Sequence, residues 1–149
     1  MSKLKSINNF LECKHIAVAG VSRSRSKFGS VIFRELRKKG YNVYPVNPNI
    51  DTYEGQVCYP GISALPDDVG SLVINTSPAL TLDLIQQAEN KGIRSIWVQQ
   101  GAENTNVIKY AEDKDNIITK ECLMMYCLPV KFPHSLHRFI RKIFGKNPK

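Results

Sequence analysis

Five short apolar runs, alternating with stretches of helical periodicity, constrain this chain more than any other feature of its sequence. The runs at 15–19, 41–46, 71–75, 94–98 and 116–119 are too short for helices and are bounded by glycine, proline or polar residues. Continuous rather than alternating hydrophobicity is what strands need when both faces of a sheet are covered, and helical connections between such strands give the βαβ rhythm of a parallel sheet. A three-layer α/β sandwich is therefore expected, with a Rossmann-like parallel sheet of about five strands. The 149 residues read as a single domain over 1–149, a length that buries roughly 70% of the unfolded surface.

The connecting segments fit that plan. Phe28, Ile32 and Leu36 recur at helical spacing over 28–39, with Gly40 placed to end the helix. Thr76-Ser77 offers an N-cap with Pro78 at the first helical position, and Leu80, Leu84, Ile85 and Ala88 form the expected buried stripe up to Gly92. A further helix is expected over 103–113, and a short amphipathic stretch over 6–13 precedes the first strand. Residues 47–70 hold Pro48, Gly55, Pro60, Gly61, Pro66 and Gly70, so an excursion with at most one helical turn near 63–65 is expected. Residues 121–127 read as loop with a short turn. Trp97 and Tyr110 are expected to pack in the core or between helices.

Charge is unevenly placed. The net charge is +8, yet from Lys131 onward there are six Lys or Arg and no acids, which leaves 15 basic against 13 acidic residues, a net +2, for the rest. Pro133 opens an amphipathic helix over about 133–145, with Leu136, Phe139, Ile140, Ile143 and Phe144 on one face and Arg138, Arg141 and Lys142 on the other. A lid or homodimer contact is favoured for it over a membrane-surface helix, and a nucleic-acid contact is disfavoured because no aromatic residues interleave with the cations. No run of ~18 apolar residues and no secretion-signal layout occurs, so a cytoplasmic location is expected. Cys13, Cys58, Cys122 and Cys127 show no CxxC pair, which argues against a metal or disulfide framework.

In an open parallel sheet the ligand crevice lies beyond the carboxyl ends of the strands. The loops there are built from small, amide, hydroxyl and cationic residues, with no paired carboxylate for catalysis. After the first strand, Gly20, Val21 and Ser22 and then Gly29 supply a tight turn and a close backbone approach. They also offer amides at a helix N-terminus, where phosphate is favoured. Arg23, Arg25 and Lys27 add positive charge. The spacing departs from GxGxxG, since serine stands at the second glycine and six residues separate Ser22 from Gly29, so a solvated basic loop is the plain alternative. At the end of the second strand Val46 is followed by Asn47-Pro48 where an NAD-type site would carry an acid, and an arginine suited to NADP is also missing. Cys122, beside the presumed pocket, reads as a buried inert thiol or as a partner for a ligand thiol.

Several segments together resemble one family. Residues 16–22 (Ile-Ala-Val-Ala-Gly-Val-Ser), 40–48 (Gly-Tyr-Asn-Val-Tyr-Pro-Val-Asn-Pro), 55–60 (Gly-Gln-Val-Cys-Tyr-Pro), 96–101 (Ile-Trp-Val-Gln-Gln-Gly) and 121–125 (Glu-Cys-Leu-Met-Met) are similar to small stand-alone CoA-binding proteins. These are related to the CoA-binding domain of the succinyl-CoA synthetase alpha subunit. The resemblance spans about residues 14–128. It implies coenzyme A or acyl-CoA lying across the strand ends, with Gly20, Val21, Ser22 and Lys27 around the phosphates. Asn47, Pro48, Asn75, Thr76, Ser77 and Pro78 would surround the adenosine and pantetheine portions, with Gln100 and Gly101 beside them. The synthetase's phosphorylated histidine comes from a second domain that this chain does not contain, and His15, His134 and His137 fall elsewhere. Non-catalytic binding as carrier, sensor or module for a partner enzyme is thus expected. The alternatives are an NAD(P)-type redox sensor or enzyme, and a structural protein with a vestigial pocket.

Overall fold

The computed structural model describes residues 3–127, and the basic helix expected over 133–145 lies outside the described residues. Five parallel strands form the main sheet: β1 (His15–Ala19), β2 (Asn42–Val46), β5 (Ser71–Ile74), β6 (Ser95–Gln99) and β7 (Ile117–Glu121). Their spatial order is β2-β1-β5-β6-β7. The chain moves outward from β1 to β2, then returns to β1's other side with β5, so the order reverses between β1 and β5.

Helices cover both faces, which is why the strands read as continuous apolar runs. α1 (Lys3–Glu12) and α2 (Phe28–Lys38) lie on one face, where Phe10, Ile32, Phe33 and Leu36 pack on Ile16, Val18, Val73 and Trp97. α3 (Pro78–Lys91) and α4 (Thr105–Ala111) lie on the other, where Ile85, Ala88 and Val107 pack on Ala17, Leu72, Ile74 and Val98. Trp97 is fully buried, as expected, with Phe10 edge-on at 5.4 Å. Its indole Nε1 donates to the Glu121 carbonyl at 3.0 Å, which satisfies a polar atom that burial would otherwise penalise. Tyr110 bridges α4 to α3 through a 2.6 Å hydrogen bond to Glu89.

The excursion after β2 is more structured than its prolines and glycines suggest. β3 (Thr52–Tyr53) and β4 (Gln56–Val57) form a small antiparallel hairpin. Its turn residues Glu54 and Gly55 both have positive φ, 48° and 82°. Both fall on the left-handed side that a two-residue primed turn requires. A 3-10 turn follows at Ile62–Ala64, and a single helical turn, α5 (Met124–Cys127), closes the described chain.

β2 is an edge strand, and the chain seals that edge itself. The Pro45 carbonyl accepts from the Tyr59 amide at 2.9 Å, the Asn47 amide donates to the Tyr59 carbonyl at 2.9 Å, and Gln56 Nε2 donates to the Val43 carbonyl at 2.6 Å. Pro45 has no amide hydrogen to leave open.

Candidate functional site

Three backbone segments meet where β1 ends. Gly20 has φ of +109°, and a Cβ there would lie 2.2 Å from the Asn75 carbonyl oxygen. A Cβ on Gly29, in the first turn of α2, would lie 2.1 Å from the Gly20 carbonyl oxygen. The Asn75 amide donates to the Ala19 carbonyl at 2.9 Å, which fixes the end of β5 against β1. The two glycines are thus required by contact of backbone with backbone. They let the loop after β1 turn directly into α2 across the end of β5.

The loop between them is braced from within. Ser30 Oγ donates to the Ser22 carbonyl at 2.6 Å and accepts from the Ser22 amide at 3.2 Å, while the Tyr53 hydroxyl donates to the same Oγ at 2.7 Å. The Ser24 amide is held by Ser22 Oγ at 3.1 Å and the Lys27 amide by the Ser24 carbonyl at 3.2 Å. Of the amides that the sequence offers here, those of Ser22, Ser24 and Lys27 are engaged inside the loop. In this loop the amides of Val21, Arg23, Arg25, Ser26 and Gly29 make no hydrogen bond among the described residues, the last of them in the orphan first turn of α2. Of the loop cations, Arg25 is paired with Glu54 at the hairpin tip at 3.1 Å, and its carbonyl accepts from Arg34 Nη2 at 2.9 Å. Arg23 and Lys27 are exposed.

Asn47 ties the end of β2 to this loop. Its Nδ2 donates to the Val21 carbonyl at 2.8 Å and its Oδ1 accepts from the Asn49 amide at 2.8 Å. Both ends of the amide are engaged, so Asn47 shapes the site rather than reaching out from it.

Next to this junction a cleft of about 410 Å³ opens between the strand ends and α3, within the range of roughly 300–1,000 Å³ typical of small-molecule sites. Its floor is Ala19, Gly20 and Val46. Pro48, Asn49, Pro60 and Gly61 enter from the segment beyond β2, and Thr76, Leu80, Asp83, Leu84 and Gln87 enter from the start of α3. The cleft sits beside the β1/β5 reversal of strand order, where open α/β sheets place ligands.

The expected site residues separate into four groups. Gly20, Val46, Asn47, Pro48 and Thr76 line the cleft. Val21, Ser22, Arg23, Lys27, Gly29 and Asn75 belong to the adjoining junction and loop, and Ser77 and Pro78 begin α3, where the Ser77 side chain makes no capping bond. Gln100, Gly101 and Cys122 fall at the ends of β6 and β7, away from the cleft lining. Cys122 is fully buried in the core on the α1/α2 face, and burial pushes its thiol pKa up against a smaller lowering by Gln99. The glutamine that turns inward is Gln99, whose Oε1 accepts from the Leu123 amide at 3.0 Å and whose Nε2 meets Cys122 Sγ at 3.2 Å.

Sequence reasoning missed Ala19, Asn49, Pro60 and Gly61 as lining residues, and on α3 it missed Leu80, Asp83, Leu84 and Gln87. Periodicity places Leu80 in the buried stripe of α3, yet it is 57% exposed and the core stripe is Thr81, Ile85 and Ala88. The available signal was the pair of leucines left beside a stripe already complete at i, i+4 and i+7.

The sequence pattern of a family described as a CoA binding domain matches residues 14–127. Among curated proteins the chain is similar to acetate–CoA ligase (ADP-forming) II of Archaeoglobus fulgidus, 35% identical over 83 residues. The match covers 54% of this chain and only 12% of the ligase. A solved structure of a conserved hypothetical protein from Pyrococcus furiosus superposes with a TM-score of 0.70 at 34% identity, covering 76% of this chain and 98% of that one. The dinucleotide-forming acetyl-coenzyme A synthetase 1 of Ca. Korarchaeum cryptofilum, solved with phosphate and ADP, gives a TM-score of 0.58 at 33% identity, covering 66% of this chain and 24% of that one.

Proposed function

This chain belongs to the CoA-binding domain family, and on that premise we propose that it holds coenzyme A or an acyl-CoA across the carboxyl ends of β1, β2 and β5 without transforming it. The observation that carries the reading is the cleft of about 410 Å³ at the strand ends, floored by Gly20 and adjoining the junction where Gly20, Gly29 and Asn75 pack backbone on backbone. The first turn of α2, with the Gly29 amide and the exposed Arg23 and Lys27, suits the phosphates of the cofactor. The cleft between the strand ends and α3 suits its adenosine.

Binding rather than turnover is supported by the cleft's chemistry. Its lining has a single titratable side chain, Asp83, among the described residues, and its one hydroxyl, Thr76, has no histidine, lysine or second acid in the lining to activate it. A carrier, a sensor of the cofactor, or a module that presents it to a partner enzyme each fits this set, and homodimerisation or peripheral membrane contact through the basic C-terminal segment belongs with those uses. The NAD(P)-type alternative loses support at Asn47, whose side chain is engaged at both ends and stands where a ribose-binding acid is needed.

Isothermal titration of the full chain with CoA, acetyl-CoA, NADH and ATP tests the reading. CoA is expected to bind at about micromolar strength with NADH and ATP well behind. NADH binding tighter than CoA overturns it.

A further inference from the structure

We propose that Asp83 accepts from the exocyclic amino group of the adenine base while Gln87 donates to the neighbouring ring nitrogen, making α3 the element that sets base specificity; this rests on the coenzyme A reading above. The cleft offers a planar ligand two kinds of apolar wall, Pro48 and Pro60 from the segment after β2 and Leu80 and Leu84 from α3. Leu80 is 57% exposed in the free chain although it lines a cleft, so a hydrophobic contact is on offer there and unused. A flat heterocycle covering it buries that side chain and leaves the base edge to meet polar groups.

Those groups are supplied one helical turn apart on α3. Gln87 Nε2 donates to Asp83 Oδ2 at 2.7 Å. A carboxylate oxygen only accepts, so the amide orientation is settled: its nitrogen faces Asp83. Asp83 Oδ1 then remains as an acceptor and Gln87 keeps a second N–H as a donor. An acceptor beside a donor is the complement of the adenine edge, where the 6-amino group donates and the neighbouring ring nitrogen accepts. The pairing also keeps the carboxylate on α3 while the exposed cations Arg23 and Lys27 stand in the loop before α2. The base and the phosphates of one ligand thereby meet groups of opposite character.

Titration with CoA and with 1,N6-etheno-CoA, whose added ring removes the amino donor, tests this directly. On the unmodified chain the etheno compound is expected to bind about tenfold more weakly, the loss of one hydrogen bond to a charged group. Asp83→Ala should weaken CoA by a similar factor and leave etheno-CoA unchanged, so that the two converge. Asp83→Asn, which retains an acceptor oxygen, should keep part of the preference. Asp83 is exposed on a helix, so these variants fold. A preference that survives Asp83→Ala, or equal binding of both compounds to the unmodified chain, overturns the proposal. A carboxylate also accepts from the edge of guanine, so GDP is run beside ADP, and tighter binding of GDP that depends on Asp83 overturns it as well. If CoA binds nowhere, the reading beneath it has failed rather than this assignment alone.

Discussion

The α-carbon of Gly29 packs so closely on the carbonyl oxygen of Gly20 that a methyl group there would sit 2.1 Å away. Both partners are backbone, so neither can swing aside. Gly29→Ala should cost roughly 1–3 kcal/mol of stability, as other overpacked sites do, and lose CoA binding because α2 is pushed off the end of β1. Thermal melting and titration together check this, and a variant with unchanged melting and binding would show that the junction yields easily.

Asn47 joins two segments that bound the cleft. Asn47→Ala removes its bonds to the Val21 carbonyl and the Asn49 amide, each 2.8 Å long, at an expected cost of about 1–3 kcal/mol. Asn47→Asp should be no milder at the Val21 side, because a carboxylate cannot donate to a carbonyl. Denaturant midpoints of the two variants measure the difference; an Asn47→Asp variant as stable as the unmodified chain contradicts the clamp.

Arg23 and Lys27 stand exposed beside the first turn of α2. Replacing both with glutamine should weaken CoA about tenfold and flatten its dependence on salt, with melting unchanged. Titrations at low and high ionic strength give the comparison, and an unaltered salt dependence would place the phosphates elsewhere.

Burial first, then its hydrogen bond to Glu121, push the Tyr126 phenol up to about 12. The folded value lies above that of an unfolded tyrosine, about 10. The stability this supplies is therefore complete below about pH 10 and is lost as pH rises from there through about 12. Tyr126→Phe should melt with a shallower decline across that window than the unmodified chain. Parallel declines would sever the link to Glu121.

Cys122 has no exposed surface and a raised pKa, so alkylation of the native chain should reach half-buried Cys13 well before it. Peptide mapping by mass reads the order. A mixed disulfide between Cys122 and CoA forming in the folded protein would contradict its burial.

The main sheet was legible because both its faces are covered: β1, β2, β5 and β6 show as mainly apolar runs within a residue or two of their bounds, while the edge strand β7 shows only through Ile117 and Ile118. The β3–β4 hairpin was not legible. Its strands have two residues each, too few for alternation to register, and Glu54 takes a positive φ that the sequence offers no reason to expect. At the site, the loops after β1 and β2 were readable from glycine and proline. The orientations of Cys122 and Gln100 were not, because one residue of register decides which way a side chain faces at a strand end. The pairing of β6 with β7 is irregular there, with Lys120 at φ of 65°. Asp83 and Gln87 look like ordinary solvent-facing helix residues, and only the fold brings them over the strand ends.

The outer side of β2 has its carbonyls at Val43 and Pro45 and its amide at Asn47 already bonded within the chain, and proline removes a further donor. Among the described residues a second molecule therefore finds only the Val43 amide open along that border, too little to template an added strand. Copies of this protein that associate must meet through helix faces, loops or the opposite margin at β7, and cross-β stacking that begins at β2 is blocked before it can start.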